Sequence, residues 1–383
     1  MNANKIRAYI GFDCTANSLH VGSLLQIMCL RLLQKHGHRP IVLLGGGTTL
    51  IGDPSGKDTT RKILKQKDIK KNIKNIKKIF EKLLNFKSKT TRPIFVDNYT
   101  WLGKLNYIDF LRNIGSQFTL NKMLTFESVK TRLDREQSLS YMEFNYMILQ
   151  AYDFLELNKK ENCSLQIGGS DQWGNIVNGT ELIKRYSSKQ AYGLTTPLIT
   201  LSSGAKMGKT ESGAIWLDEK LLSSYDYWQF WRNIDDRDVI KFLKMFTDLD
   251  IEEIDKMKDE DINKLKIKLA NETTTMLHGL KAAKSSEQAA KEAFSGTSLG
   301  SNLPSIKIKK TDIENKMSII DLVILSKLEN SKSEIRRLIK GNAIKLNDEI
   351  ISQENLIISY ELFRQNYLKL SVGKKRHLKI ELS

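Results

Sequence analysis

The sequence predicts an α/β protein that begins with a doubly wound, Rossmann-like parallel sheet and continues with a helical domain and a small α+β domain. Three observations support this order. Strand, helix and strand patterns occur twice within 1–220, residues 221–295 show only helical periodicity, and residues 317–383 combine helical patterns with strands. A turn-rich stretch separates the last two parts, so we expect a linker over 296–316.

The first strand–helix–strand unit opens the chain. Residues 8–13 form an apolar run typical of a strand, and Asn17 or Ser18 is suited to cap a helix over 19–35. Residues 40–44 predict a second buried strand, which a run of glycines ends. Two strands joined through a helix are parallel neighbours, and nucleotide-binding sheets are built from such units.

A second unit of the same kind lies further along the chain. We expect a strand at 164–168, a helix at 172–185 and a further strand at 194–200. Beyond the helical domain, helices at 319–328 and 333–340 precede a predicted hairpin. These last elements make up the small α+β domain.

The charge of the chain gives the first indication of a partner. Its 383 residues include 61 Lys and Arg against 44 Asp and Glu, a net charge of +17. A basic surface attracts nucleic acid, but a composition rich in Lys, Ile and Asn would give the same charge without that role. We interpret the lysine-rich stretch 62–89 as a solvated helix with one core face rather than as an RNA site.

The residue pattern disfavours three classes of protein. Cys14, Cys29 and Cys163 are far apart and show no metal-binding spacing, which predicts a reduced chain without zinc or disulfides. No stretch reaches the ~20 apolar residues of a membrane helix, and the first residues lack a signal-peptide pattern. We therefore expect a cytoplasmic protein that does not bind membranes.

The turn after the first predicted strand is the first candidate site. It contains Asp13, Thr15, His20, Gly22 and Ser23. Parallel sheets bind ligands at this end of a strand, and free backbone N–H groups and the helix dipole favour phosphate there. His20 and Thr15 are suited to donate hydrogen bonds to phosphate oxygens, and Gly22 lets a ligand approach the backbone.

A second candidate site is a loop rich in glycine and serine that contains Lys206, Lys209 and Thr210. Two lysines on a mobile loop suit the charge that develops on a departing pyrophosphate. Alone, the loop would be an ordinary exposed charged segment.

The run Gly52–Lys57 resembles a P-loop but is one residue short between its glycines, and Asp58 follows where Ser or Thr is needed. The sequence therefore does not predict a P-loop NTPase.

Two further runs carry polar groups in unusual places. Tyr146, Gln150 and Asp153 recur at i, i+4 and i+7 of a predicted helix, so their side chains project from one face. Because the residues around them are apolar, a surface helix fits this pattern poorly. The later strand ends in Gly169 and Asp171, at another carboxyl end where a sheet binds ligands.

With these runs in this order, the sequence resembles bacterial-type tyrosyl-tRNA synthetases, which are class I aminoacyl-tRNA synthetases. The turn at His20 and the loop of Lys206 and Lys209 are similar to the two signatures of that class. The resemblance spans nearly the whole chain. It implies that tyrosine reacts with ATP to give tyrosyl-adenylate and pyrophosphate, and is then transferred to the terminal adenosine of tRNA(Tyr). It also implies a homodimer, with 106–126 as a candidate interface.

The resemblance further implies how tyrosine is bound. Tyr9 and Asp153 would hydrogen-bond the phenol, and phenylalanine would leave both groups buried and unpaired, an effect documented in this enzyme family. The other implied groups of the tyrosine site, which face the ammonium or lie near the carboxylate, are Asp53, Tyr146, Gln150 and Gln172.

For ATP, the resemblance implies that Thr15 and His20 hold the phosphates. The residues implied to contact the rest of the nucleotide and the adenylate are Asp13, Gly22, Ser23, Gly169, Asp171 and Lys209. The groups implied around the pyrophosphate are Lys57, Arg61, Lys206, Lys209 and Thr210. Mg²⁺ would enter bound to ATP, and no protein-held metal or prosthetic group is expected.

The last part of the chain looks like the alpha-L RNA-binding motif that many bacterial members carry. Residues 331–383 hold eleven Lys and Arg against six Asp and Glu. Contact with tRNA phosphates is the natural interpretation, although a merely soluble basic module would have the same composition. The cations implied to contact RNA are Arg336, Arg337, Lys340, Lys374, Lys375 and Arg376.

Two departures from the family and two alternatives remain. Ser23 stands where the first signature usually ends in His, and the chain starts only eight residues before Tyr9, whereas members usually begin with a further helical segment. The nearest alternative is a tryptophanyl-tRNA synthetase, but indole offers Tyr9 and Asp153 only a donor. The other is a noncatalytic RNA-binding protein on the same scaffold, against which Lys206 and Lys209 argue.

Overall fold

The computed structural model describes residues 5–54, 64–204, 207–210, 213–295, 303, 305–363, 367–373 and 376–382. The chain divides into two units, one of Met1–Lys209 with Ala214–Asp218 and one of Thr210–Gly213 with Glu219–Ser383. The first unit contains a parallel sheet, and the second contains a run of helices followed by a second sheet.

The first unit alternates strands and helices. Its strands are β1 (Arg7–Asp13), β2 (Arg39–Gly45), β3 (Ile94–Asp97), β4 (Leu165–Gly169) and β5 (Tyr192–Thr196). Its helices are α1 (Leu24–Lys35), α2 (Thr48–Ile51), α3 (Gln66–Leu83), α4 (Tyr99–Leu102), α5 (Tyr107–Asn113), α6 (Leu120–Met123), α7 (Glu127–Asp134), α8 (Tyr141–Glu161) and α9 (Trp173–Ser187). Two short strands, β6 (Lys209–Thr210) and β7 (Gly213–Ala214), then form a separate two-stranded sheet.

The five strands of the first unit form one parallel sheet in the order β3-β2-β1-β4-β5. β1 pairs with β2 along its whole length, from Arg7 opposite Arg39 to Asp13 opposite Gly45, and with β4 on its other side. The chain therefore winds in both directions from β1. This confirms the predicted doubly wound sheet and places a crevice between the carboxyl ends of β1 and β4.

The strands form where both faces of the sheet are covered. Every residue of β2 after the first is buried, as expected for a parallel strand with helices on both faces. Tyr9 of β1 is fully buried, and its ring lies 5.2 Å from the ring of Phe154 on α8. The last strand differs from the predicted 194–200: it ends at Thr196 because Pro197 has no N–H with which to continue the ladder.

Helix α8 begins beside a buried ion pair. The Ser140 hydroxyl accepts from the backbone N–H of Glu143, whose carboxylate in turn accepts from the Ser140 backbone at 3.1 Å. Arg132 of α7 lies 3.4 Å from the other carboxylate oxygen and donates to the carbonyl of Ser138. Burial raises the pKa of Glu143, but the Ser140 hydrogen bonds and the Arg132 charge outweigh it and hold the pKa below its usual value.

The second unit begins with helices and ends with a mixed domain. Its helices are α10 (Ser224–Arg232), α11 (Val239–Phe246), α12 (Ile251–Lys256), α13 (Ile262–His278), α14 (Leu280–Ser295), α15 (Lys310–Glu314), α16 (Ile319–Leu325) and α17 (Lys332–Lys340). Its strands are β8 (Ser305–Ile308), β9 (Ile344–Leu346), β10 (Glu349–Ile350), β11 (Tyr367–Val372) and β12 (Arg376–Leu382), in the sheet order β10-β9-β11-β12-β8.

The C-terminal sheet corrects one predicted boundary. β8 pairs in parallel with β12, from Ser305 opposite Lys379 to Ile308 opposite Leu382. The predicted linker over 296–316 is therefore too long, because its later part belongs to this sheet and to α15. The strand was missed because it is only four residues long and alternates apolar and polar residues over a single repeat.

The predicted hairpin is present in the C-terminal sheet. β9 and β10 pair in antiparallel fashion around Asn347 and Asp348, whose φ angles are 48° and 69°. The backbone twist of a two-residue turn with positive φ at both positions matches the right-handed twist of the strands. Apart from glycine, Asn and Asp are the residues that tolerate positive φ best. The dipeptide was therefore a sound signal for the turn.

The described part of the chain contains no helix that is both long and apolar enough to cross a bilayer. Within the same residues, no group of three His, Cys, Asp or Glu side chains is arranged to hold a metal ion. Cys14, Cys29 and Cys163 are free thiols, and burial raises the pKa of each.

The buried ion pair at α8 yields a stability prediction. Glu143→Gln keeps the size of the side chain but leaves the buried Arg132 without its counter-charge. We expect the free energy of unfolding to fall by about 3 kcal/mol, measured from urea unfolding curves.

Glu181→Gln is the matched control, because it removes the partner of Lys122 in a pair whose side chains are 40% and 34% exposed. Such a pair is worth less than ~1 kcal/mol. Equal urea midpoints for the two variants would contradict the proposed dependence on burial.

Candidate active site

A cavity of about 450 Å³ lies at the carboxyl ends of β1, β2 and β4. It is lined by residues from separate parts of the sequence that the sheet brings together. The predicted site residues that line it are Tyr9, Asp13, His20, Gly22, Ser23, Asp53, Tyr146, Gln150, Asp153, Gly169, Asp171 and Gln172.

The remaining predicted residues of the catalytic site lie elsewhere or beyond the description. Thr15 is exposed and is not part of the cavity wall. Lys57, Arg61 and Lys206 lie outside the described residues. Lys209 and Thr210 are described by their backbone alone, as the strand β6.

The His20 turn differs in detail from the expected helix over 19–35. Residues Val21–Ser23 form a 3₁₀ turn and the α-helix begins only at Leu24. The Nδ1 atom of His20 accepts from the backbone N–H of Gly22 at 3.0 Å, so the imidazole itself caps the turn. The backbone of His20 also forms an antiparallel bridge with Trp216, in which the Val21 N–H and the Leu19 carbonyl pair with Ile215 and Leu217 instead of with a helix.

The two predicted signatures meet through a pair of glycines. A Cβ atom on Gly208 would lie 2.6 Å from the backbone nitrogen of Gly22, and the φ angle of Gly208 is 91°. A Cβ atom on Gly22 would lie 2.6 Å from the His20 ring and 3.0 Å from the carbonyl oxygen of Met207. Both positions therefore need glycine, and their contact brings the lysine-bearing loop to the edge of the cavity.

Amides and carboxylates form one connected row along the cavity. Gln172 donates from Nε2 to Asp53 at 2.9 Å and to Asp171 at 3.1 Å. Asn175 donates from Nδ2 to the side-chain oxygens of Gln150 at 3.0 Å and Gln172 at 3.1 Å. The row joins α8 and α9 to the chain after β2, so these side chains hold one another in place.

At the inner end of the cavity lie a buried phenol and a buried carboxyl. The Tyr9 hydroxyl is buried and has no hydrogen-bond partner among the described residues. Burial, followed by the charge of Asp153, raises the pKa of Tyr9 well above its usual value, which indicates that the two groups are close. An unpaired buried hydroxyl in a cavity wall is a group that a ligand is expected to satisfy.

Asp153 is held by two donors that sequence analysis missed. The indole Nε1 of Trp101 donates to Oδ1 at 2.7 Å, and Nδ2 of Asn98 donates to Oδ2 at 2.8 Å. Burial raises the pKa of Asp153 to about 7, and these two hydrogen bonds oppose the rise. Asn98 directly follows β3, so the rule that ligands gather at carboxyl ends of strands could have identified it.

The same hydrogen bonds connect the two ends of the cavity. The second Nδ2 hydrogen of Asn98 is donated to Thr48 at 3.0 Å, and the Thr48 hydroxyl donates to Oδ1 of Asp13 at 2.9 Å. Oδ2 of Asp13 accepts from the Tyr146 hydroxyl at 3.2 Å. Asp13 therefore accepts from two hydroxyls, and these contacts fix the orientation of its carboxyl group.

The described part of the cavity wall is acidic. Four carboxyl groups line it, and no lysine or arginine among the described residues does so. Such a wall suits an ammonium group and sugar hydroxyls, whereas phosphates would need cations from other segments. The lysine-bearing loop at Gly208 and the segment after Asp53 are the sequence neighbours that carry such cations.

Comparison with families of known proteins agrees with this geometry. A model of the family described as tRNA synthetases class I (W and Y) matches residues 1–295. A second model, described as the SYY-like C-terminal domain of tyrosine–tRNA ligase, matches residues 295–380. The two matches together cover both units of the chain.

Individual relatives carry the same name. A tyrosine–tRNA ligase of Pelagibacter ubique (strain HTCC1062) is 70% identical over 382 residues, which is 100% of this chain and 93% of the relative. One from Wolbachia pipientis subsp. Culex pipiens (strain wPip) is 56% identical, over 99% of this chain and 91% of the relative. Both relatives are therefore similar to this chain over nearly its whole length.

Solved structures show the same fold. The crystal structure of a C-terminally truncated mitochondrial tyrosyl-tRNA synthetase from Aspergillus nidulans is 30% identical, with a TM-score of 0.66. The match covers 75% of this chain and 85% of that one. The chain therefore belongs to the tyrosyl-tRNA synthetases, within class I of the aminoacyl-tRNA synthetases.

Proposed function

We propose that the chain is a tyrosine–tRNA ligase whose cavity activates tyrosine and then charges tRNA(Tyr). In the first step, a carboxylate oxygen of tyrosine attacks the α-phosphorus of ATP. A P–O bond forms, the bond to the β,γ-pyrophosphate breaks, and tyrosyl-adenylate remains in the cavity. In the second step, a ribose hydroxyl of the terminal adenosine attacks the tyrosyl carbonyl, and AMP leaves.

The observation that carries the proposal is that the buried Tyr9 and Asp153 line the same cavity as His20. A phenol both donates and accepts, so it satisfies the Tyr9 hydroxyl and the ionised Asp153 carboxylate together. Phenylalanine would leave the buried Tyr9 hydroxyl without a partner and would give the Asp153 carboxylate no donor beyond Trp101 and Asn98. Tryptophan, the alternative substrate, has one N–H donor and no acceptor, so it would satisfy only the carboxylate.

The row of amides and carboxylates is assigned to the other end of the amino acid. Asp53, Tyr146 and Gln150 would surround the ammonium group, and the negative charge of Asp53 supplies the attraction. Gln172 would donate to the substrate carboxylate. Because Gln172 already bridges Asp53 and Asp171, it would fix the spacing between the ammonium and carboxylate groups.

ATP is assigned to the side of the cavity formed by the His20 turn and the end of β4. The residues proposed to contact ribose and adenylate are Asp13, Gly22, Ser23, Gly169 and Asp171. His20, whose Nδ1 accepts from the Gly22 N–H, would donate from Nε2 to a phosphate oxygen. Thr15 is proposed as a second phosphate donor, although its exposed position requires ATP to reach the cavity rim.

The residues proposed to stabilise the charge on the departing pyrophosphate are Lys57, Arg61, Lys206, Lys209 and Thr210. No lysine or arginine among the described lining residues supplies positive charge, so these flanking segments would complete the site. Mg²⁺ would enter as part of the ATP substrate, bound to its phosphates. The reaction needs no covalent enzyme intermediate, and catalysis would consist of positioning and charge stabilisation.

The C-terminal domain is proposed to hold tRNA. Arg336, Arg337 and Lys340 are exposed on α17, which makes them available to phosphates. Arg336 and Lys340 lie 3.5 Å from Glu354, so phosphate would compete with one shared carboxylate. Arg376 donates to the carbonyl of Leu328 and is partly engaged by the fold. Lys374 and Lys375, also proposed to bind RNA, lie outside the described residues.

A homodimer is proposed through the segment around the predicted 106–126. Large apolar side chains are exposed there, including Tyr107 at 59% and Ile108 at 66%. Beside them lies an apolar cavity of about 480 Å³ between the chain after β2, α5 and α8. A second copy of the chain would remove this surface from water. We also propose that the enzyme works in the cytoplasm.

The two residues proposed to bind the phenol, Tyr9 and Asp153, can be tested by substitution. Asp153→Asn keeps the shape of the side chain but removes the buried anion, and kcat/KM for tyrosine should fall by about 100-fold. Tyr9→Phe removes one hydrogen bond, and the loss should be about 10-fold. Both are measured by ATP–pyrophosphate exchange, with KM for ATP expected to change little.

Tyr152→Phe serves as the matched control, because this tyrosine lies next to Asp153 in sequence but packs against Phe110, 5.5 Å away between ring centres. Its exchange kinetics should equal those of the unmodified enzyme. If the Tyr9 and Asp153 variants catalyse exchange as fast as the unmodified enzyme, the assignment of the phenol site is refuted.

The pKa of Asp153 gives a pH prediction. The ionised carboxyl accepts from the phenol, so kcat/KM for tyrosine should fall as the pH drops through about 7. Trp101→Phe removes a donor that stabilises the anion, so the pKa should rise and the profile should move to higher pH. Exchange rates between about pH 5.5 and 8.5 test this. A profile that stays in place or moves to lower pH would contradict the role of Trp101.

The C-terminal assignment predicts a separation of the two reaction steps. Changing Arg336, Arg337 and Lys340 together to Gln should lower kcat/KM for tRNA charging at least tenfold and reduce its salt dependence, because each phosphate contact contributes about one unit of slope. Tyrosine-dependent exchange should be unaffected. The control replaces the exposed Lys307, Lys310 and Lys316 with Gln, and charging that suffers equally in both variants would count against a specific contact.

A further inference from the structure

Helix α3 carries an unusual concentration of positive charge. Its sequence contains seven lysines against two acidic residues. One face, including Ile69, Ile76 and Phe80, is buried in the core of the first unit. The opposite face is exposed, and six of the lysines lie fully on it: Lys67, Lys70, Lys71, Lys74, Lys78 and Lys82.

The spacing of these lysines works against the helix. Lys67 and Lys71, Lys70 and Lys74, and Lys74 and Lys78 are each separated by four residues, so their side chains are neighbours on the helix surface. Like charges at this spacing destabilise a helix. A sequence that breaks a local stability rule in this way indicates either bias in composition or a function that offsets the repulsion.

The part of the fold that the structure describes does not supply the opposite charge. None of the ion pairs in the described part of the chain includes a lysine of α3. Lysines on other helices do find carboxylates: Lys160 lies 2.8 Å from Glu156, and Lys291 lies 2.6 Å from Glu287. Compositional bias accounts for many lysines, but it does not account for a helix on which seven lysines stand against two acidic residues and form no ion pair among the described residues.

The helix also lies next to the active site. Phe80 packs against Phe12 of β1, with ring centres 4.9 Å apart. Closer to the start of the helix, the Asn72 side chain donates to the carbonyl of Cys14 at 2.8 Å. Cys14 directly follows Asp13 in the cavity wall, so the first half of α3 lies against the end of β1 that leads into the cavity.

We propose that the exposed lysine face of α3 is a docking surface for the acceptor arm of tRNA, and that it contacts the phosphate backbone of that arm. The proposal rests on the proposed function and adds a second contact region to it. To be charged, the terminal adenosine must enter the cavity, and the strand that leads to it must cross the cavity rim. From Lys67 to Lys82 the face extends for ~22 Å, long enough to follow several successive phosphates.

The chemistry of the face fits phosphates better than other partners. Lysines act as point charges and contact the backbone without reading bases, so this surface would contribute affinity but little tRNA identity. Among the described residues of α3, no aromatic side chain is exposed on which a base could stack. A membrane surface is disfavoured because the apolar face of the helix is already buried in the protein core.

The test uses the full-length enzyme with Lys70, Lys71, Lys74 and Lys78 changed to Gln. The probe is an RNA hairpin that copies the acceptor stem of tRNA(Tyr) with its single-stranded 3′ end. Its Kd is measured over a range of salt concentrations. We expect binding at low salt to weaken by 10- to 100-fold and the slope of log K against log salt to become shallower by about two to three units.

Two further variants make the result decisive. Lysine-to-arginine changes at the same four positions keep the charge, and they should bind the hairpin as the unmodified enzyme does. Changing Lys256, Lys264, Lys281 and Lys284 to Gln removes equal charge from exposed positions of the second unit, and the loss of hairpin affinity should be several-fold smaller.

Tyrosine-dependent ATP–pyrophosphate exchange is measured on every variant and should remain unchanged. An unchanged Kd and slope in the α3 glutamine variant would overturn the proposal, and so would an equal loss in the second-unit variant, which would indicate a general field effect. If the glutamine changes impair exchange, the arginine variant becomes the deciding measurement. A loss of hairpin affinity in the arginine variant would also overturn the proposal. Absence of exchange in the unmodified enzyme would instead contradict the proposed function.

Discussion

The burial of one carboxyl group, that of Asp153, is the constraint on which the rest of the site depends. A carboxylate removed from water is costly unless donors surround it, and Trp101 and Asn98 provide two of them at 2.7 and 2.8 Å. Burial still prevails, because the pKa of Asp153 remains at about 7. A ligand hydroxyl would supply a further donor, and under the proposed function this would make the inner end of the cavity selective for a phenol.

The doubly wound sheet gives this carboxyl its surroundings. Asp153 lies on α8, Asn98 follows β3, and Tyr9 lies within β1, so three separate segments must converge. Parallel strands end at one edge of the sheet, which is why groups remote in sequence meet there. Asn98 then connects Asp153 to Asp13 through Thr48, so one hydrogen-bond chain joins the parts of the cavity that are proposed to bind the amino acid and the nucleotide.

Much of this arrangement could be predicted from the sequence, and the rest could not for physical reasons. The i, i+4, i+7 spacing places Tyr146, Gln150 and Asp153 on one face, since helical periodicity alone decides it. Thr48 and Trp101 gave no such signal, because their roles come from contacts across the sheet. The close approach of Gly22 and Gly208 depends on tertiary packing, and so does the exposure of Thr15, which no local pattern marks.

The central claim is that this cavity selects an amino acid by its phenol. It is tested most directly by ATP–pyrophosphate exchange on the unmodified enzyme with tyrosine, phenylalanine and tryptophan as the only amino acid. The buried pair predicts exchange with tyrosine and a kcat/KM at least ~1000-fold lower for the other two, since each leaves a buried polar group unpaired. Comparable exchange with phenylalanine or tryptophan would contradict the account.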